Sequence, residues 1–256
     1  MPNTMPALTA RPEVIFFDVG DTLMRTHPSW AGVYRLGLAE QGIAVSEDQL
    51  ARALAEASPD YWLAEGPFEA SAEASFARVR AYDQQVLAAL GHPDLPDDVF
   101  LAIEAAFLRR TSWLVFDDVL PAIEALKADG FRLAVISNWV WGGPELMHDI
   151  ELAHHFEQMV FSARVGYQKP AAAIFEHALA RMGVAGERTV HIGDNPRADV
   201  AGARRVGITP VLIDRRLSDP ARAVERTDDP TLPVVADLFG LLDLLGVPRP
   251  AAAAVS

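Results

Sequence analysis

Val14 to Phe17 is apolar at every position and stops abruptly at Asp18. An unbroken apolar run of this length predicts a strand buried on both faces of a parallel sheet, because a half-exposed strand would alternate. The next run of that quality, Leu133 to Ile136, comes only after a long stretch whose apolar residues recur at helical spacing. That stretch predicts helices over Trp30 to Glu40, Gln49 to Ala57, Ala72 to Leu90 and Asp97 to Arg110. Ser46-Glu47-Asp48-Gln49 is a capping-box sequence, in which the Ser side chain accepts a backbone donor and the Gln reaches back. Gly66-Pro67 and His92-Pro93 through Pro96 break the helices apart. A helical unit is therefore inserted directly after the first strand.

From Asp118 the pattern alternates between helix and strand. Helices are predicted near Val119 to Ala128, Pro144 to Leu152, Ala171 to Met182, Asp199 to Arg205 and Asp237 to Leu245. Strands are predicted at Gln158 to Phe161, Thr189 to Ile192, Pro210 to Ile213 and Val234-Val235. Parallel strands joined through helices need right-handed crossovers, which gives an α/β fold with a doubly wound, Rossmann-like parallel sheet. The expected division is a core of 12–24 and 114–246, a helical insertion of 25–113, and flexible tails at 1–11 and 247–256.

Four pieces place chemistry just past such runs, where an open parallel sheet presents its ligand crevice. Asp18 ends the first strand and is followed by Val19-Gly20-Asp21-Thr22. Taken alone it reads first as a turn-forming Asp, but at the tip of the first buried strand a carboxylate can ligate a hard cation or attack an electrophile. Ser137-Asn138 ends the second strand and offers a hydroxyl and turn amides for phosphoryl oxygens, or only local backbone bonds. Lys169 is held extended by Pro170 beside a helix start, a place suited to an anion. Asp194 follows the Thr189 to Ile192 strand and suits a second oxygen ligand opposite Asp18. Asp199 falls near a helix start, where a capping role is the plain alternative.

Together, in order and at strand ends, these pieces resemble the four motifs of the haloacid dehalogenase-like hydrolase superfamily. The resemblance covers roughly residues 12 to 246, and the inserted helices stand where that superfamily carries its helical cap. It implies an aspartyl-phosphate mechanism with Asp18 as nucleophile. Magnesium would be held by Asp18, the Gly20 carbonyl and Asp194, with Asp199 behind those ligands. Ser137, Asn138 and Lys169 would hold the phosphoryl group of a small-molecule phosphate ester. Phosphatases of the superfamily usually carry a second Asp two positions after the nucleophile; this chain has Gly20 there and Asp21 one place later. Three readings follow: a magnesium-dependent phosphatase of a small phosphorylated metabolite, the favoured one; a weak or inactive phosphate-binding member; and a metal-independent 2-haloacid dehalogenase, against which the Gly193-Asp194 motif counts.

The aromatic residues Trp139, Trp141 and Tyr167 either line the substrate or pack under the cap, and Arg25 and His27 are hinge or pocket candidates. His154 and His155 are adjacent and badly placed to share an ion, while His191 reads as a hydrogen-bonded core residue. A net charge of −13 and no basic stripe argue against a nucleic-acid partner. The absence of cysteine excludes thiolate and disulfide chemistry. No apolar run has the length of a membrane span and no signal-like segment is evident, so a cytoplasmic monomer or homodimer is expected.

Overall fold

The computed structural model describes residues 11–57, 59–218 and 229–250. Strand β1 (Val14–Phe17) is buried throughout and lies in the middle of the main sheet. Its side chains alternate, as the pleat requires: Ile15 and Phe17 enter one apolar cluster, Val14 and Phe16 the other. Complete burial of each contributes roughly 1.5–3 kcal/mol. The unbroken apolar run is thus explained by two cores, one on each face.

The ribbon β2 (Met24–Thr26) and β3 (Trp113–Val115) is antiparallel, with Arg25 opposite Leu114. Strands β4 (Arg132–Ser137), β5 (Gln158–Phe161), β6 (Thr189–Gly193), β7 (Thr209–Ile213) and β8 (Val234–Val235) complete the main sheet. Among the described residues its order is β5-β4-β1-β6-β7-β8, and every pairing is parallel. The chain winds outward from β1 through β4 to β5, then returns to the other side of β1 at β6. Where the winding reverses, the carboxyl ends of β1, β4 and β6 open a crevice.

Between β2 and β3 lie α1 (Trp30–Glu40), α2 (Glu47–Glu56), α3 (Ala72–Ala89) and α4 (Asp97–Phe107). They share an apolar core that includes Leu38, Leu50, Leu87 and Phe100. The Ser46–Gln49 capping box is present in full. Both expected boundaries of the insertion fall on the β2–β3 ribbon. Its strands were not foreseen, because three residues are too few to display a period.

The core helices are α5 (Val119–Ala128), α6 (Gly143–Asp149), α7 (Ser162–Val165), α8 (Ala172–Met182), α9 (Ala201–Arg204) and α10 (Leu238–Leu245). Gly183 ends α8 in the left-handed region at φ 64°, where any Cβ is strained. The helix expected over Asp199 to Arg205 is present but starts earlier, as a wide turn, Pro196–Val200, running into α9. Asn195 caps it, accepting from the Arg197 and Ala198 amides. Asp199 is therefore not the cap. Of the expected tails, Val247 is buried in the core, Arg11 pairs with Asp129 and Arg249 with Asp243. Residues 1–10 and 251–256 lie outside the described residues. Among the described residues, no helix is long and apolar enough to cross a membrane.

Candidate active site

Asp18 is the first residue beyond β1, and its amide still donates to the Ile192 carbonyl at 2.9 Å, which fixes it at the sheet end. Its Oδ1 accepts from Ser137 Oγ at 2.8 Å and from Lys169 Nζ at 2.6 Å. Ser137 is the last residue of β4, so the neighbouring strand delivers the hydroxyl. Lys169 Nζ also donates to the Ile136 carbonyl at 2.9 Å and to Asp199 Oδ1 at 2.6 Å. An ammonium has three protons, so this nearly inaccessible lysine is fully satisfied.

The Lys169 backbone is clamped as well. Asn138 Oδ1 accepts from the Lys169 amide at 2.7 Å, and Asn138 Nδ2 donates to the Lys169 carbonyl at 2.9 Å. Nδ2 also donates to the Trp62 carbonyl at 3.2 Å. A side-chain amide matches one extended residue's donor and acceptor, so the Asn138 side chain positions Lys169 and not a phosphate. Asp199 turns inward from the Pro196–Val200 turn. Its Oδ1 accepts from Lys169 and lies 2.8 Å from His191 Nε2, while Oδ2 accepts from the Asn195 amide at 3.0 Å. A Cβ at Gly193 would fall 2.2 Å from Asp199 Cγ, so only glycine admits this carboxylate. His191 is fully buried beside Phe175, as a core residue.

Asp194 follows β6 directly and brings the second acid. Carboxylate oxygens of Asp18, Asp194 and Asp199 all lie within 4.8 Å of one another. Because Asp199 is engaged by Lys169, His191 and Asn195, Asp18 and Asp194 are the pair that could hold an ion. Burial, and then the charges of Asp18, Asp199 and Asp21, push the Asp194 carboxyl well above its usual range. Burial also raises Asp18, against the pull of Lys169. Despite its burial, the Lys169 ammonium and the His191 bond hold Asp199 low, and the two acids raise Lys169 although burial opposes it. Hard oxygen donors at bridging distance, with surplus negative charge, fit a magnesium ion. Gly20 lines the same cavity.

Asp21 is not on the cavity wall. Its φ of 52° turns the chain there, its amide donates to the Met24 carbonyl at 2.7 Å, and its carboxylate accepts from the Trp30 side chain. Burial and the charge of Asp18 raise its carboxyl. Arg25 and His27 are exposed on or beside the ribbon and do not line the cavity. His154 and His155 stack with ring centroids 4.0 Å apart, away from the acid cluster.

The cavity measures about 730 Å³ and runs from Asp18 into the helical insertion. Trp139 lines it, 3.7 Å from where a Cβ on Gly20 would stand. Trp141 is stacked under Arg164 and gives its amide to Ser75 Oγ, and Tyr167 packs on the core cluster that contains Phe16. Most of the aromatic wall comes from the insertion: Trp30, Tyr34, Trp62, Tyr82 and Phe107. Sequence reasoning missed these residues and two acids among them, Asp83 and Glu104. The available signal was an Asp set beside Tyr82 in a helix that also carries Val86 and Leu87 on its buried side.

A family model described as haloacid dehalogenase-like hydrolase matches residues 12–207. Phosphoserine phosphatase of Thermus thermophilus is 30% identical over 226 residues, 80% of this chain and 90% of that protein. Glyceraldehyde 3-phosphate phosphatase of Methanothermobacter thermautotrophicus is 27% identical over 91% of this chain and 99% of that one. Among solved structures, a HAD phosphatase from Thermococcus onnurineus superposes with a TM-score of 0.61 at 22% identity, covering 93% of this chain and all of that one. At that identity the likeness concerns the fold.

Proposed function

Because the chain belongs to the haloacid dehalogenase-like hydrolase family and is a hydrolase of the phosphatase kind, we propose that it cleaves a small phosphate monoester with magnesium, through an aspartyl-phosphate on Asp18. The observation that carries this reading is the meeting of Asp18 and Asp194, far apart in sequence but at the ends of neighbouring strands, at a distance one cation bridges. Asp18, the Gly20 carbonyl and Asp194 would hold the ion, which supplies positive charge to the phosphoryl oxygens as negative charge shifts during transfer.

The protein's own residues do the rest. The Asp18 carboxylate attacks phosphorus, and the ester P–O bond breaks as the new bond forms. Ser137 Oγ and Lys169 Nζ both donate to Asp18 Oδ1, and each would turn that bond to a phosphoryl oxygen when the ester enters. Asp199 and Asn138 hold Lys169 in that position, the first by charge and the second by its backbone. Asp21, one place on from the usual acid, would have to turn into the cavity to give a proton to the leaving alkoxide and to take one from the water that later frees Asp18. Its raised carboxyl supports the acid role. One observation favours a second reading, in which phosphate binds and is not turned over: Gly20 brings no side chain to the usual acid's position, and Asp21 stands off the cavity wall.

The test is release of p-nitrophenol from its phosphate, with and without magnesium. Release is expected only with the ion and is lost in Asp18→Asn. Asp21→Asn is expected to lower kcat by about 10²–10⁴ with little change in KM. Equal release without metal, or full activity in Asp18→Asn, overturns the mechanism. Halide release from 2-haloacids without metal would move the chain to the dehalogenases.

A further inference from the structure

The cap end of the cavity holds a buried acid that the reaction above does not use. Asp83, on α3, is 1% exposed and lines the cavity. Its Oδ1 accepts from Tyr34 OH, but its Oδ2 meets no hydrogen-bond partner among the described residues. A buried carboxylate oxygen left without a donor costs about 1–3 kcal/mol or more, so such an atom invites a ligand. Glu104 lines the same cavity, and its charge, after burial, helps to raise the Asp83 carboxyl to about 7. Around these acids stand aromatic rings: Trp62 and Tyr82 have centroids 5.2 Å apart, and Tyr34 meets Phe107 edge-on at 5.1 Å. Aromatic faces beside acids favour a cation.

The cavity's other charges point the same way. Among the described residues that line it, Lys169 is the single basic side chain, and in the reaction above it serves the phosphoryl group beside Asp18. A carboxylate or second phosphate on the substrate would find no cationic partner and would face acids. Size adds a further constraint. Cavities of about 300–1,000 Å³ enclose ligands of drug size, far larger than a three-carbon ester. The substrates named for the two relatives above would leave most of this one unfilled.

We propose that the substrate is a bulky, largely apolar phosphate monoester that carries a protonated amine at the end remote from the phosphate, with Asp83 Oδ2 as the amine's acceptor. This rests on the phosphatase reading for the fate of the ester. The amine site itself stands on the geometry of the cap end.

Two measurements test it. The first compares kcat/KM for 4-(aminoalkyl)benzyl phosphates of increasing arm length with isosteres in which methyl replaces ammonium. The best amine is expected to exceed its isostere about tenfold or more, the worth of one charge-assisted bond with cation–π support. A carboxylate-tipped ester is expected to be the poorest of the three. The second measures binding of the corresponding free alcohols to the wild-type protein and to Asp83→Asn by calorimetry. The amine preference is expected in the wild type and should collapse towards unity in the variant. No preference at any arm length, a preference unchanged in Asp83→Asn, or a preferred carboxylate overturns the proposal. The wild-type comparison needs no variant to fold. Amine binding without ester cleavage keeps the amine site and removes the phosphatase reading; cleavage without amine preference does the reverse.

Discussion

A buried charge survives only where its neighbours compensate it, and two of this chain's buried acids meet opposite outcomes. Asp199 sits against Lys169 and His191 and stays ionised. Asp83 has a single donor, Tyr34, and a neighbouring acid in Glu104, so burial raises its carboxyl to about 7 from an ordinary value of 3.8. The folded protein then holds the Asp83 proton more tightly than the unfolded chain. Stability is lost as pH rises from about 4 to about 7, the interval in which the unfolded chain has already released that proton. Asp83→Asn removes this term while Tyr34 keeps an acceptor. The variant is expected to match the wild type near pH 4 and to exceed it at pH 8, by roughly 2–4 kcal/mol in denaturant unfolding. A wild-type advantage at pH 8 would contradict the assignment. Asp18, Ser137, Lys169 and Asp194 were legible in the sequence, because strand ends and a proline mark where each must stand. Asp83 was not, since a single acid on a helix reads as a solvated face until the opposing helices are known. Nor was the true employment of the Asn138 side chain, whose partners come from distant parts of the chain.

Helices α1 and α4 approach so closely that a glycine is required between them. A Cβ on Gly37 would stand 2.7 Å from Ile103 Cα and 2.9 Å from both Ile103 N and the Ala102 carbonyl, all backbone atoms that cannot rotate away. Gly37→Ala sets two effects against each other. Alanine improves helix propensity by about 1 kcal/mol. Forcing the helices apart costs roughly 1–3 kcal/mol, and more where backbone must move. The clash should win, and thermal unfolding is expected to show a midpoint several degrees lower, at about 2–4 °C per kcal/mol for a chain of this size. A higher midpoint would mean that the two helices separate freely. Elements of this kind were the readable part of the fold, since α1, α3 and α4 carry long helical periods and β1 an unbroken apolar run. The Pro196–Val200 turn escaped, because its shape follows from Asp199 being drawn inward to Lys169 and His191, which no local pattern encodes.

The insertion and the core meet at the β2–β3 ribbon and again across the mouth of the crevice, and the second meeting runs through residues that also position Lys169. Gln168, 2% exposed, accepts from Arg78 Nη2 at 2.7 Å and donates to the Ala64 carbonyl at 3.0 Å, both in the insertion. Nearby, the Phe68 amide donates to the Gly166 carbonyl at 2.9 Å, Asn138 reaches the Trp62 carbonyl, and Arg205 pairs with Glu65. Docking the cap and aiming the lysine are thus one arrangement, since Gln168 and Lys169 are successive residues of one turn, which the Ala171 amide closes on the Gln168 carbonyl at 2.9 Å. The exposed Arg205–Glu65 pair contributes little to it, as solvated pairs do. The buried amide contributes more: Gln168→Ala leaves the Ala64 carbonyl and the Arg78 guanidinium without this partner, a loss of about 1–3 kcal/mol in docking. Because that loss falls on the interface and not on the sheet, it should appear as local opening. Amide hydrogen exchange is expected to quicken roughly tenfold or more between Trp62 and Arg78, with β1, β4 and β6 unchanged. Unaltered exchange in that segment, or equal acceleration through the sheet, would show that the cap is held by other contacts.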